Sequence, residues 1–186
     1  MTSPDIGGMR MPKRSILPVE DLSDDGQKFL DILNEEADLA VVIIGTSYLD
    51  ACLGALLHRF FVEGSTADRL LDVQGGALGS FQARADACYV LGIINKPLYQ
   101  DLVTISKIRN QFAHHHLALN FDLPAVAELC TDFRYVGSLR QGNMNKPLDL
   151  TNWMTSARNQ FILTAVMISQ RLLLTGLSLR RQSPAV

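Results

Sequence analysis

Apolar residues recur along most of this chain at spacings of three and four, the period of one helix face, and hardly anywhere at the alternation of a strand. Phe29, Leu30 and Leu33 give a first stripe, with Ser23 as its expected cap and Asp24 and Asp25 in the first turn, where carboxylates suit the helix dipole. The most apolar text, "EADLAVVIIGTSYLDACLGALLHRFF", predicts a long helix from about Glu36 to Val62 that Gly64 ends. Glycine is costly inside a helix, so Gly45 and Gly54 are expected to mark close backbone approach to a neighbour.

A short helix is expected at 66 to 72, capped by Ser65 or Thr66, before the loop "VQGGALG". Ser80 is placed to cap a helix over 81 to 93. After the turn at Asn95, Pro97 suits the first position of a helix running to about 117. A short helix is expected at 124 to 131, and "FRYVGSL" (133 to 139) is the single strand candidate. The last helix, about 150 to 178, is apolar on a broad face through Trp153, Phe161, Ile162, Ile168 and Leu172. The pattern predicts an all-α antiparallel helical bundle with four principal long helices and short accessory ones. Residues 1–20, rich in Pro and Gly without periodicity, are expected to form a flexible tail; 21–179 form one helical domain, and 180–186 a C-terminal tail.

Composition narrows the function classes. The chain has 186 residues and 47% apolar content, enough for one sizeable core. Its net charge of −2 supplies no global field for nucleic acid. The short basic spots, Arg10, Lys13 and Arg14 and then Arg180 and Arg181, need no partner as solvated tails. Cys52, Cys88 and Cys130 are odd in number and widely spaced, which argues against a disulfide scaffold or a zinc ribbon and for a reducing compartment. No apolar leader is visible, and the longest apolar stretches are broken by polar residues, so a cytoplasmic location without membrane contact is expected.

The chemistry concentrates in "KIRNQFAHHH" (107 to 116), which holds three of the four histidines. With Arg109 set at zero on a helical wheel, Leu98, Leu102, Ile105, Ile108 and Phe112 fall between about −100° and +20°, so Arg109 stands beside the apolar stripe rather than toward solvent. Asn110 and His114 lie about 40° apart on the flank. An arginine on an apolar stripe either pairs with a buried carboxylate such as Asp38, Asp50 or Asp86, or serves a site. A His–Arg pair suits phosphodiester cleavage: imidazole moves a proton near neutral pH while guanidinium holds the phosphate. Adjacent histidines point in different directions on a helix, so no metal and no cofactor is implied. His115 and His116 can equally end in solvent at the helix terminus. Ser80 and Arg84, at a helix N-terminus rich in free N–H donors, are further binding candidates, or simply hold the fold. "ARNQF" (157 to 161) repeats the Arg-Asn-Gln-Phe core, but Leu163 stands where His114 would, and this copy reads as structural.

"IRNQFAHH" closing a helix of an all-α chain resembles the HEPN superfamily, whose signature sets an Arg, often followed by Asn, a few residues before a His; here four residues separate Arg109 from His114. Segments 36 to 57, 78 to 94 ("LGSFQARADACYVLGII") and 101 to 115, in that order, resemble the mannitol operon repressor (MltR-type) family. The resemblance implies a HEPN-like bundle and a transcriptional regulator. No helix pair carries a basic recognition helix, so contact with a protein partner, and a homodimer, are expected rather than direct DNA binding. The alternative that the resemblance keeps open is a metal-independent HEPN ribonuclease acting on RNA, with His114 as acid and base, Arg109 as phosphate clamp and Asn110 as orienter.

Overall fold

The structure, a computed structural model, describes residues 16–23, 26–114, 120–139 and 155–184. Every element among them is helical: α1 (Val19–Ser23), α2 (Gly26–Glu35), α3 (Asp38–Phe60), α4 (Ser65–Leu71), α5 (Phe81–Val90), α6 (Lys96–His114), α7 (Pro124–Thr131), α8 (Tyr135–Leu139) and α9 (Ala157–Ser178). The expected caps at Ser23 to Asp25, and Trp153, lie outside the residues whose side chains are described.

α3 is the axis of the bundle because it is apolar nearly all round. Val41, Val42, Leu49, Cys52, Leu53, Leu56 and Leu57 are buried on several of its faces. It packs most extensively against α9 and also meets α1, α2, α4, α5 and α6. Both α3 and α9 are long and apolar enough to cross a bilayer, longer than the broken apolar stretches suggested. They pack on each other, and 56% of each apolar window is buried within the protein, the pattern of core helices. Close packing explains the two α3 glycines. A Cβ at Gly45 would lie 3.1 Å from Phe161 Cε1 on α9, and one at Gly54 would lie 3.2 Å from Arg84 Nη1 on α5. Phe161 in turn belongs to a tilted aromatic row with Phe121 and Phe112, which joins α9 to the end of α6.

Several ends are set by single contacts. Ser80 Oγ accepts from Ala83 N at 3.2 Å and Ser156 Oγ from Asn159 N at 3.1 Å, each satisfying an N-terminal donor. α5 stops earlier than expected because Gly92, at φ +71°, turns the chain left-handed while Ile93 N donates to Cys88 O, a Schellman-type ending. α4 begins at Ser65, with Gly64 rather than Ser65 or Thr66 in the capping position.

The one strand candidate is helical. At 135 to 139 the chain forms α8 because the carboxylate of Asp101, fully buried on α6, accepts from both Arg134 N and Tyr135 N at 2.8 Å. The N-terminal donors of α8 are thus capped by a residue of another helix, a tertiary contact that local periodicity cannot show.

Candidate functional site

The loop "VQGGALG" is the first component of the site. It folds tightly back on the end of α4: Gly76 N donates to Asp72 O and Leu78 N to Leu70 O, each at 2.8 Å. A Cβ at Gly76 would lie 2.4 Å from Leu70 O, and one at Gly79 would lie 2.5 Å from Asp72 O, so only glycine fits at either position.

Arg84 locks this loop to the bundle. Its side chain is buried, with Nε donating to Leu78 O at 2.9 Å, Nη2 to Leu71 O at 2.9 Å, and Nη1 to Asp50 O at 3.3 Å and Asp50 Oδ2 at 2.9 Å. One guanidinium therefore ties α3, α4, the loop and α5 together, and the absent Cβ of Gly54 makes the space for it. The planar fork suits several acceptors held at fixed angles.

Asp50 faces two cations. Burial pushes its carboxyl above the usual carboxylate range, against the opposing effects of the Arg84 charge and hydrogen bond and the nearby Arg109 charge. Oδ2 is bonded to Arg84, whereas Oδ1 is buried and has no hydrogen-bond partner among the described residues. Thr46, one turn earlier on α3, is 7% exposed, and its Oγ1 is likewise buried without a partner. Orphaned buried polar atoms are rare and call for an explanation.

Both residues line a cleft of about 500 Å³ between α3, α6 and the 73–81 segment. Ser47, Ser80, Ser106 and Arg109 complete its polar lining, and Leu39, Ile43, Val73, Phe81 and Phe112 its apolar one. Leu39 and Ile43 are 50% exposed and Val73 48% exposed, so the rim is open and apolar.

Arg109 is exposed, not turned away from solvent as the wheel suggested. The reason is local: Ile105 and Ile108 on the same side of α6 meet packed core, whereas Ser106, Arg109 and Ala113, with one side of Phe112, open into the cleft. Among the described residues its one side-chain hydrogen bond is a long one, 3.5 Å, from Nη1 to Asn110 Oδ1, and it forms no ion pair. α6 ends at His114, whose side chain, with His115 and His116, lies outside the described residues. The cleft thus brings Arg109 and Ser80 together around Asp50, with Arg84 behind Asp50 rather than in the lining.

The three carboxylates considered for Arg109 are engaged elsewhere. Asp50 bonds Arg84; Asp86 accepts from Gln82 at 2.7 Å and Tyr99 at 2.9 Å; Asp38 pairs with Arg158. Arg158, in the second Arg-Asn-Gln-Phe copy, also donates to Leu33 O at 3.1 Å and Glu36 O at 2.6 Å, satisfying carbonyls at the end of α2. Sequence reasoning placed neither Thr46 nor Asp101; a buried threonine or aspartate inside an apolar or mixed helix carries no motif. Among the described residues no three His, Cys, Asp or Glu side chains converge as a metal site.

No family model and no curated protein matches the chain. A solved structure does: a chain in the X-ray structure of the MtlR–HPr complex from Escherichia coli. It aligns with a TM-score of 0.63 and 19% identity over 80% of this chain and 98% of that one. The fold is MtlR-like.

Proposed function

We propose that this protein is an MtlR-type transcriptional regulator that works by binding a protein partner rather than by contacting DNA itself. The observation that carries the proposal is the likeness of fold to a chain crystallised in a protein–protein complex, MtlR with HPr. Two features of the chain support it. The cleft rim exposes Leu39, Ile43 and Val73 together, the kind of apolar patch that a partner covers. The net charge of −2 gives nucleic acid no field to follow. A HEPN-like ancestry, a homodimer and a cytoplasmic setting belong to the same proposal.

The purified chain should form a complex with HPr of its own organism, measured by sedimentation and calorimetry, and Ile43→Glu should weaken that complex at least about tenfold. It should not shift operator-length duplex DNA at physiological salt. A second arm incubates the protein with RNA in EDTA beside Arg109→Ala and His114→Ala. RNA cleavage lost in both variants would replace this proposal with the ribonuclease; failure to bind HPr would remove the protein-contact reading.

A further inference from the structure

The end of α6 opposite Arg109 carries a second exposed face. Lys96, in the first turn of α6, Arg134 and Arg171 are exposed there, and among the described residues none of them forms an ion pair. Arg59, Arg84, Arg158 and Arg181, by contrast, each hold a carboxylate. Contacts link the three free cations. Arg134 Nη1 reaches Gln100 Oε1 at 3.5 Å, one turn along α6 from Lys96. Arg171, on α9, lies near enough to Tyr135, the neighbour of Arg134, for its charge to act on the phenol. It also lines a notch of about 240 Å³ together with Asn95, which directly precedes Lys96. Carboxylates on the adjoining elements are engaged: Asp86 with Gln82 and Tyr99, and Asp101 with the backbone that starts α8. Asp132, exposed two residues before Arg134, forms no ion pair with it.

Apolar side chains flank the same notch. Val90, 80% exposed, and Leu91 lead into the 92–95 turn that forms one wall. Leu174, 63% exposed, sits one turn after Arg171 and next to Thr175, which form the other. Tyr89 stacks on Tyr99 with ring centroids 4.5 Å apart, fixing the end of α5 to α6. We propose that this face docks an acidic amphipathic segment of a partner protein. One carboxylate of the segment enters the notch to Arg171, others lie over Lys96 and Arg134, and its apolar side chains cover Val90, Leu91 and Leu174. A guanidinium takes a carboxylate through paired, charge-assisted hydrogen bonds. Uncompensated cations favour an acidic partner and repel a basic one. The concavity admits a side chain, which a flat bilayer cannot supply, and the net charge of −2 disfavours nucleic acid. About 20 Å of helix, at 1.5 Å per residue, separates Lys96 from Arg109. The face is therefore distinct from the cleft rim, does not rest on the partner reading made for that rim, and lets one chain hold two partners at once.

The test is fluorescence anisotropy of a labelled amphipathic peptide, leucines on one helical stripe flanked by glutamates, titrated with the purified full chain. Versions with glutamines or lysines in place of the glutamates run beside it. The glutamate peptide should bind at least about tenfold more tightly than the glutamine peptide, with the preference shrinking as salt rises, and the lysine peptide should not bind. Lys96→Glu with Arg171→Glu should remove the preference, and Val90→Ser with Leu91→Ser should weaken the glutamate peptide at least about tenfold. All four positions are exposed, so both double variants should keep the parent's thermal midpoint. Ile43→Glu should bind the glutamate peptide as the parent does, which separates this face from the cleft. The proposal is wrong if the glutamate peptide does not bind, if the glutamine peptide binds as tightly, or if either double variant binds as the parent does. It is equally wrong if phosphatidylglycerol vesicles or duplex DNA bind here in the peptide's stead. Self-association in sedimentation that the Lys96/Arg171 variant loses would also overturn it, since a second copy would then cover the face.

Discussion

Arg84 Nη1 stands 2.9 Å from Asp50 Oδ2 and lies where the missing side chain of Gly54 leaves room for it. The guanidinium has four further claims on its position, since carbonyls of Leu71, Leu78 and Asp50 and the packing against α3 all hold it. Arg84→Ala should therefore lose about 3–5 kcal/mol, as expected when one partner of a buried ion pair is removed. Arg84→Lys should recover little of it, because an ammonium cannot reach acceptors on both sides. Gly54→Ala gains about 1 kcal/mol of helix propensity but must displace a pinned arginine at about 1–3 kcal/mol, so its net effect should lie between no change and a loss of about 2 kcal/mol. Urea midpoints of the three variants check all of this.

The two Arg-Asn-Gln-Phe copies should respond very differently to losing their arginine. Arg158 holds Asp38 and the last carbonyls of α2, and its loss should cost about 2–4 kcal/mol. Arg109 is exposed and, among the described residues, pairs with no carboxylate, so Arg109→Ala should change stability by less than about 0.5 kcal/mol. Equal losses in thermal and chemical denaturation would show that Arg109 carries the fold after all.

Asp101 should make its own contribution to the pH dependence of stability. Burial raises its carboxyl above the ordinary value, against the backbone hydrogen bonds from Arg134 and Tyr135 and the Arg134 charge. Between the unfolded and folded values the native state holds the extra proton, so stability falls as pH rises through that window. The favourable contribution is complete below the ordinary carboxylate range, near 3.8, and is lost as pH rises through the folded value. Subtracting the stability of Asp101→Asn from that of the parent at each pH should show this fall, with the variant's slope flatter over the acid range. A rise with pH would contradict the burial of the group.

All three cysteines should be silent in the native protein. Cys52, Cys88 and Cys130 are buried, and burial pushes each thiol up to about 12, far from the thiolate that reacts. Iodoacetamide at neutral pH should label none of them over a time in which it labels all three in denaturant, as counted by intact mass.

Period alone carried the helices, because apolar spacing reports which face is buried and burial is what most helical stability comes from. α7 appears over the residues expected, 124 to 131, and α3 and α6 within a few residues of theirs. α8 was not legible, since what makes it a helix is Asp101, more than thirty residues away. Gly54 signalled that something approaches α3 closely, but not that it is an arginine. On the candidate site, Arg109 was visible as an arginine out of place on a stripe. Whether that stripe meets packed core or a cleft depends on where the 73–81 segment folds back, which no wheel contains. Thr46 was invisible because a threonine among apolar neighbours looks like any other core position until its hydroxyl is followed and found without a partner.

The hold of Arg158 on the end of α2 joins positions more than one hundred residues apart, and α9 is also the main packing partner of α3. A chain leaving the ribosome therefore completes its first three helices long before the helix that covers them exists. Until α9 arrives, the faces of α1, α2 and α3 that pack on it stand uncovered and the last carbonyls of α2 lack their arginine. Folding must wait for nearly the whole sequence, and any product cut short before residue 157 should be an aggregating species and a target for chaperones and proteases rather than a smaller working protein.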